Sequence, residues 1–405
     1  MTDARGRARA RYCRGEPRAW TWRRLRHPAA LTKEAPLSAG PGTPTRRQVG
    51  APSLVTAVED RLTAFFRTRG PIVEPLGPVF VDAAAALEDF VIRGGKRTRP
   101  SFAWTGWLGA GRDADDPDAD AVLTACSALE LVQACALIHD DIIDSSRTRR
   151  GFPTVHVDYE QRHRDQRWAG DADHYGISVA ILIGDLALAW ADDMTRDAGL
   201  PADAAARFAP VWAAMRTEVL GGQLLDIHGE SAGDETVEAA LRINRYKTAA
   251  YTIERPLHMG AALAGAGPEL IAAYREFGTD IGIAFQLRDD LLGVFGDPAV
   301  TGKPSGDDLR EGKRTVLIAE ALQRADIAAP PVADLIRSSL GTDVTPERVA
   351  ELRTALIDLG AVDAVEKRIG ALTDQALTAL DSSTATPDAK RQLRAMALAA
   401  TARTY

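Results

Sequence analysis

The sequence predicts an all-α protein folded as a single-domain helical bundle, and three observations carry that expectation. Ala and Leu dominate a chain of 405 residues in which aromatics make up only 6%, a composition suited to helical cores more than to sheets. No period-two alternation of apolar and polar residues holds for more than a few positions. Apolar segments of helix length instead follow one another from Leu54 to the C-terminus, punctuated by glycine, proline and polar breaks. No internal repeat of roughly 20–50 residues is evident.

Residues 1–53 are rich in Arg, Pro, Gly and Ala without helical periodicity, and read as a disordered basic extension ahead of a domain over residues 54–405. Trp20, Trp22 and Leu25 among arginines leave an amphipathic targeting arm as the alternative. Val55–Arg67 has apolar residues at helical spacing and leads to Gly70-Pro71. Val79–Arg93 carries an alanine run and stops at Gly94-Gly95. Val122–Ile143, without Pro or Gly, reads as one buried helix. A polar insertion from about Gln161 to Gly176 reads as a mobile surface segment. Helices resume at Ile177–Arg196, Ala204–Val219, Glu238–Ala264, Pro268–Phe295 and Leu317–Ala325, then from Pro346 to Thr401. Pro210 and Pro256 are expected to kink or break two of them.

Charge and cysteine usage exclude several classes. Residues 1–50 hold 12 Lys/Arg against 3 Asp/Glu, a balance of +9 that leaves about −16 for the rest of a chain whose net charge is −7. A nucleic-acid-binding surface on the body is not expected. Cys13, Cys126 and Cys135 form neither a metal spacing nor a disulfide framework and fit a reducing cytoplasm. The apolar run Ile177–Trp190 is too short for a transmembrane segment, and no signal peptide is visible.

The chemistry gathers where the apolar run from Leu131 ends in Asp140, Asp141 and Asp144. Helix positions four apart share a face, about 6 Å apart along the axis, so Asp140 and Asp144 point the same way with Asp141 to one side. Like charges at the end of an apolar helix repel and are poorly solvated, so they need a cation. A few hard oxygens on one face suit Mg²⁺, which binds substrate phosphates through one or two carboxylates. One such cluster also reads as a helix cap or a solvated end. The segment Ile283–Asp297 repeats the arrangement with Asp289 and Asp290. Two such helices facing each other would hold divalent ions and, through them, a diphosphate.

Basic groups are placed to match. Gly94-Gly95-Lys96-Arg97-Thr98-Arg99-Pro100 is a sharp turn followed by three cations, a plausible diphosphate clamp. Arg149 and Arg150 follow Asp144 closely and offset its charge. Lys247-Thr248 sets a cation beside a hydroxyl on a helix. The stretch Thr301–Arg314, with Lys303, Asp308 and Lys313, has the glycines and proline of a loop that closes over ligand.

In these motifs the chain resembles the trans-prenyl diphosphate synthases (polyprenyl synthetases), closest in pattern to bacterial geranylgeranyl diphosphate synthases. The resemblance spans roughly residues 54–405. It rests on Gly-Gly-Lys-x-x-Arg-Pro, Asp-Asp-x-x-Asp followed by Arg-Arg-Gly-x-Pro-Thr, Gly222-Gln-x-x-Asp226, Lys247-Thr248, Phe285-Gln-x-x-Asp-Asp, Gly302-Lys-Pro and Asp308-x-x-x-x-Lys313. It implies a bundle of the isoprenoid synthase type with a central substrate cavity, working as a homodimer. The implied reaction condenses isopentenyl diphosphate head to tail with an allylic diphosphate bound through about three Mg²⁺.

The resemblance also assigns roles. Lys96, Arg99, Gln133 and Arg150 would hold isopentenyl diphosphate; Arg149, Lys247, Lys303 and Lys313 would hold the allylic diphosphate. Asp140, Asp144 and Asp289 would be the principal metal ligands, supported by Asp141 and Asp290. Thr248 and Gln286 would face the developing carbocation and, with Lys247, are the catalytic candidates. Lys303 and Arg97 read alternatively as solvated cations, Gln133 as a polar residue satisfied within helix packing, and Asp226 as a structural partner or a carboxylate behind the ligands. His139 reads as structural and Cys135 as packing.

One departure stands out. Gly293 occupies the third position of the second aspartate motif, so weaker binding of one ion is expected. The growing tail would run from the metals toward the N-terminus of the Asp140 helix, where one turn, ~5.4 Å, is comparable to one isoprene unit. Ala136 and Cys135, the fourth and fifth residues before Asp140, are small, and Val132 lies further up. In the family, aromatics at the first two go with the C15 product, so geranylgeranyl diphosphate or a longer chain is expected. A class I terpene cyclase would carry a single Asp-rich motif and no isopentenyl diphosphate clamp. A non-catalytic modulating subunit would have eroded aspartates, and a longer-chain polyprenyl diphosphate synthase stands as a further alternative.

Overall fold

In a computed structural model that describes residues 53–296 and 306–402, Ser53 opens the first helix by accepting the Thr56 N–H on its hydroxyl. That helix, α1 (Leu54–Thr68), buries Val58, Leu62, Phe65 and Phe66 at helical spacing. The short α2 (Gly70–Val73) and a single 3₁₀ turn lead to α3 (Pro78–Ile92). The expected extension up to residue 52, and Lys303, lie outside the described residues.

The region read as a bare turn is the start of α4 (Thr98–Gly109). Pro100 sits in its first turn, where a missing N–H costs nothing, and Phe102, Ala103 and Trp107 drive it into the core. The buried helix expected over Val122–Ile143 is two helices, α5 (Ala119–Ser127) and α6 (Leu129–Ile143), broken at Ala128. The Ser127 hydroxyl takes the Leu123 carbonyl and Leu131 N–H turns back to Ala128 O, side-chain competition of the kind that bends helices. A two-residue hairpin, β1 (Thr148–Arg149) against β2 (Phe152–Pro153), follows, turned by Arg150 and Gly151 at positive φ.

The supposed mobile insertion is ordered helix. α7 (Val155–Asp165) and α8 (Ala172–Arg196) take up most of it. His163, Trp168 and Tyr175 make three mutual ring contacts of 5.2–5.9 Å, and Asp171 caps α8 through the His174 N–H. The polar residues are the solvated face. α9 (Ala202–Ala232) continues through Pro210 without a break, with Phe208 stacked on Trp212 across it.

After α10 (Val237–Ile243) the chain winds as a π-helix over Asn244–Glu254 before α11 (Arg255–Ala264), which Pro256 begins. A Cβ on Gly222 of α9 would overlap the Tyr246–Lys247 backbone, and one on Gly282 would overlap Ala249. Those two glycines let α9 and the long α12 (Pro268–Phe295) close on the π segment from both sides. Beyond come α13 (Asp307–Glu311), α14 (Val316–Ala328), α15 (Pro330–Ser339, not foreseen), α16 (Pro346–Asp358), α17 (Ala361–Ser382) and α18 (Pro387–Thr401). The stretches Ala119–Ile143 and Ala172–Arg196 are long and apolar enough to cross a bilayer by length and composition. In this fold the first is mostly buried in the bundle, with Leu131 and Ile138 almost fully enclosed. The second buries one face, with Ile183 and Met194, and leaves Ile181 and Leu182 exposed.

Candidate active site

α4, α6, α9, the π segment and α12 surround a cavity of about 780 Å³. Its basic side carries Lys96, Arg99, Gln133 and Arg150; its acidic side carries Asp140, Asp226, Asp289 and Asp290 with Lys247 and Lys313. Phe102, Val132, Cys135, Ala136, Val219 and Phe285 line the apolar remainder.

Five of the cavity's cations are held by specific devices. The Arg99 guanidinium lies 4.0 Å from the Tyr251 ring centroid and donates to Thr252 Oγ1 at 2.9 Å. Arg150, aimed by the hairpin, donates to Gly94 O at 2.9 Å. Arg149 donates through Nε to Asp141 Oδ1 at 2.7 Å and reaches Asp140 at 3.4 Å. Lys247 bridges Asp226 Oδ2 at 2.5 Å and Asp140 Oδ1 at 3.2 Å. Lys313 spans Glu311 at 2.6 Å and Asp144 at 3.3 Å. Thr248 Oγ1 donates to Gln286 Oε1 at 2.6 Å, and Gln286 Nε2 donates to Asp290 Oδ1 at 2.7 Å.

The carboxyls titrate differently because their neighbours differ. Burial pushes Asp140 up, but Lys247, Lys313 and Arg149 outweigh it and hold the carboxyl below the usual range. Burial, reinforced by Asp140, raises Asp144, and burial raises Asp141 despite Arg149. Asp290, wholly enclosed, is pushed up to about 8 by burial. The carboxylates more than offset the burial of Lys247 and Lys313, whose amines stay firmly protonated.

The donor set fits Mg²⁺. Asp141 Oδ2 and Asp290 Oδ2 are buried without a hydrogen-bond partner, and Asp140 Oδ1 meets the Lys247 ammonium at 3.2 Å, which leaves hard oxygens with room for a further cation. Among the described residues no three His, Cys, Asp or Glu side chains form a ready-made cage. Mg²⁺ needs none, since it keeps waters and takes one or two carboxylates with substrate phosphates.

A polyprenyl synthetase family model matches residues 82–353. The chain belongs to the polyprenyl synthetase family. A crystal structure of geranylgeranyl pyrophosphate synthase from Corynebacterium glutamicum, complexed with isoprenyl diphosphate and magnesium, is 53% identical with a TM-score of 0.84, over 87% of this chain and 99% of that one. Geranylfarnesyl diphosphate synthase of Aeropyrum pernix is 37% identical over 68% of this chain and 79% of its own. Geranylgeranyl diphosphate synthase of Mycobacterium tuberculosis is 33% identical over 73% and 77%. The chain is thus a trans-prenyl diphosphate synthase, a prenyltransferase with the all-α fold of that family.

Within this polyprenyl synthetase most of the expected site residues converge. Asp141 and Asp144 are exceptions, absent from the cavity lining. Asp141, 1% exposed, is turned to Arg149, and Asp144 closes the end of α6 against Lys313. Arg97 is no solvated cation. It is 2% exposed and pairs with Glu130 at 2.7 Å and Glu59 at 3.3 Å. Asp226 is the partner of Lys247. His139 meets Ile181 O at 3.2 Å and Cys135 Sγ at 3.7 Å, and burial pushes the Cys135 thiol up to about 12, so it is no nucleophile.

Three contributors escaped the sequence reading. Glu130, a lone charge in an apolar helix, was the one with a signal, since such a charge needs a partner. Thr252 and Tyr251 on Arg99 had none. Asp308 was seen as a motif letter only. A Cβ on Gly293 would overlap the Asp308 carboxylate, so the space of the missing aspartate side chain holds an aspartate from elsewhere in the chain.

Proposed function

We propose that this synthase condenses isopentenyl diphosphate with an allylic diphosphate, 1′-4 and head to tail, giving geranylgeranyl diphosphate. Lys96, Arg99, Gln133 and Arg150 hold isopentenyl diphosphate. Arg149, Lys247 and Lys313, with Lys303, hold the allylic diphosphate. Asp140 with Asp144 and Asp289 with Asp290 would hold the Mg²⁺, about three ions, which would supply positive charge to the departing diphosphate. The observation that carries this reading is one cavity lined by Lys96, Arg99 and Arg150 together with Arg149, Lys247 and Lys313. The latter three are paired with carboxylates, and Asp290 Oδ2 is buried without a hydrogen-bond partner in the same lining.

The chain's own residues supply the rest. Lys247 and Arg149, fixed by Asp226 and Asp141, need no reorganisation as negative charge builds on the leaving group. Thr248 Oγ1 and Gln286 Oε1 turn oxygen dipoles toward the allylic carbons as they become cationic. Arg99 and Arg150 hold the second diphosphate so that its double bond attacks from a fixed distance. The proton lost in the last step leaves with the released diphosphate, so no protein base is needed.

A cytoplasmic homodimer is part of the proposal. Among the described residues Cys126 and Cys135 are free and buried, which fits a reducing compartment. Ile181 and Leu182 on α8 and Leu220 and Leu224 on α9 are exposed at 43–67%, an apolar face suited to a second copy. The test is to incubate purified protein with Mg²⁺, isopentenyl diphosphate and C5, C10 or C15 allylic primers and measure product length. A C20 diphosphate is expected. Cyclised hydrocarbon without consumption of isopentenyl diphosphate points to a cyclase, and no turnover points to a modulating subunit.

A further inference from the structure

Cys135 and Ala136 are small and leave room in the cavity along α6, with Val132 further up the same helix. The cavity lining continues onto Leu188 of α8 and onto Val219 and Arg216 of α9. Arg216 is the charged group among these otherwise apolar residues, and it is clamped. Its Nη1 donates to Asp192 Oδ1, which also accepts the Trp212 indole N–H at 2.7 Å, and its guanidinium lies 5.4 Å from the Trp212 ring centroid. Arg216 Nε is buried without a partner.

The two long walls fix how far this clamp stands from the reacting end. Lys247 touches both Asp140 of α6 and Asp226 of α9, so those residues mark one level. Both helices run toward that level. Val132 is eight residues back along α6, about 12 Å, and Arg216 ten residues back along α9, about 15 Å. At one turn per isoprene unit the channel holds roughly three units before it meets a guanidinium. An apolar tail gains nothing against a charge already paired with a carboxylate, and displacing that charge strips its hydrogen bonds.

We infer that the Arg216–Asp192–Trp212 clamp is the floor of the product channel and sets chain length. This rests on the proposed condensing activity and adds the residue that ends it. A C15 allylic chain fills the channel and is extended once; the C20 product, one unit too long to return as a primer, departs. Arg216 touches no reacting atom and acts on specificity alone.

The test uses the full-length enzyme with Mg²⁺ and isopentenyl diphosphate, primed in parallel with farnesyl and geranylgeranyl diphosphate, products being resolved by mass. Arg216→Ala is expected to turn over the farnesyl primer within about threefold of wild type. It should lower KM for the geranylgeranyl primer at least tenfold and give C25 or longer chains. Asp192→Ala, which frees the guanidinium without deleting it, should do the same more weakly and serves if Arg216→Ala does not fold. Variants that extend the farnesyl primer yet stop at the wild-type length overturn the floor while leaving the activity standing. A wild type that condenses nothing overturns both.

Discussion

Arg97 offers the sharpest energetic prediction. Its guanidinium donates to Glu130 at 2.7 Å, Glu59 at 3.3 Å, Val91 O at 2.8 Å and Ile92 O at 3.2 Å, and it stands between Lys96 and Arg99. Glu130 is 5% exposed. Arg97→Met leaves that carboxylate buried and unpaired, which costs about 3–5 kcal/mol. Replacing both partners, Arg97→Met with Glu130→Leu, removes the stranded charge and leaves only two helix-end carbonyls short of a donor, about 1–2 kcal/mol in all. The double variant is therefore predicted to be about 2–3 kcal/mol more stable than Arg97→Met alone, and the coupling between the two sites is that difference plus the cost of Glu130→Leu alone. Urea titrations of wild type, both single variants and the double variant measure it. Additive losses, or a single-variant loss below about 1 kcal/mol, refute the buried-pair account, the latter being the value of an exposed bridge.

Three further perturbations test other parts of the account. Gly293→Asp drives a side chain into the Asp308 carboxylate and should raise the Mg²⁺ concentration needed for half-maximal condensation. Adding Asp308→Gly should recover part of the loss, and no recovery would mean the two positions do not share that space. Cys135→Phe, filling the channel beside Ala136, should shorten the product by one or more isoprene units, while unchanged length rejects the tail path. Burial, with Glu276 nearby, raises the Asp280 carboxyl to about 6. The folded form therefore holds its proton more tightly than the unfolded form, and stability falls as pH rises through 6. Asp280→Asn should raise Tm at pH 7.5 and leave it nearly unchanged near pH 4; a uniform shift contradicts this.

Much of this molecule is legible locally, and the failures share a cause. Asp140, Asp289, Lys247 and Arg150 announce themselves because an unpaired charge beside an apolar helix has to meet something. The ends of α12 follow from Pro268 and the break after Phe295. Arg97 was misread because its burial depends on Glu130, 33 residues away in sequence. The break at Ala128 depends on where one serine hydroxyl donates. The segment from Gln161 to Gly176 looked like loop because one of its faces is solvated, while His163, Trp168 and Tyr175 hold the other. Gly293 reads as a deficit until Asp308 is seen in its place, and the π winding at Lys247 has no signature in residue type.

The central claim is that carboxylates from α6 and α12 share ions with one diphosphate. Crystals grown with Mn²⁺ in place of Mg²⁺ and a non-ionising thio analogue of farnesyl diphosphate, measured for anomalous scattering, test it most directly. The account predicts manganese peaks bridging a single diphosphate, with Asp140 ligating on one side and Asp289 on the other. Peaks confined to one motif, or a diphosphate bound away from both, would contradict it.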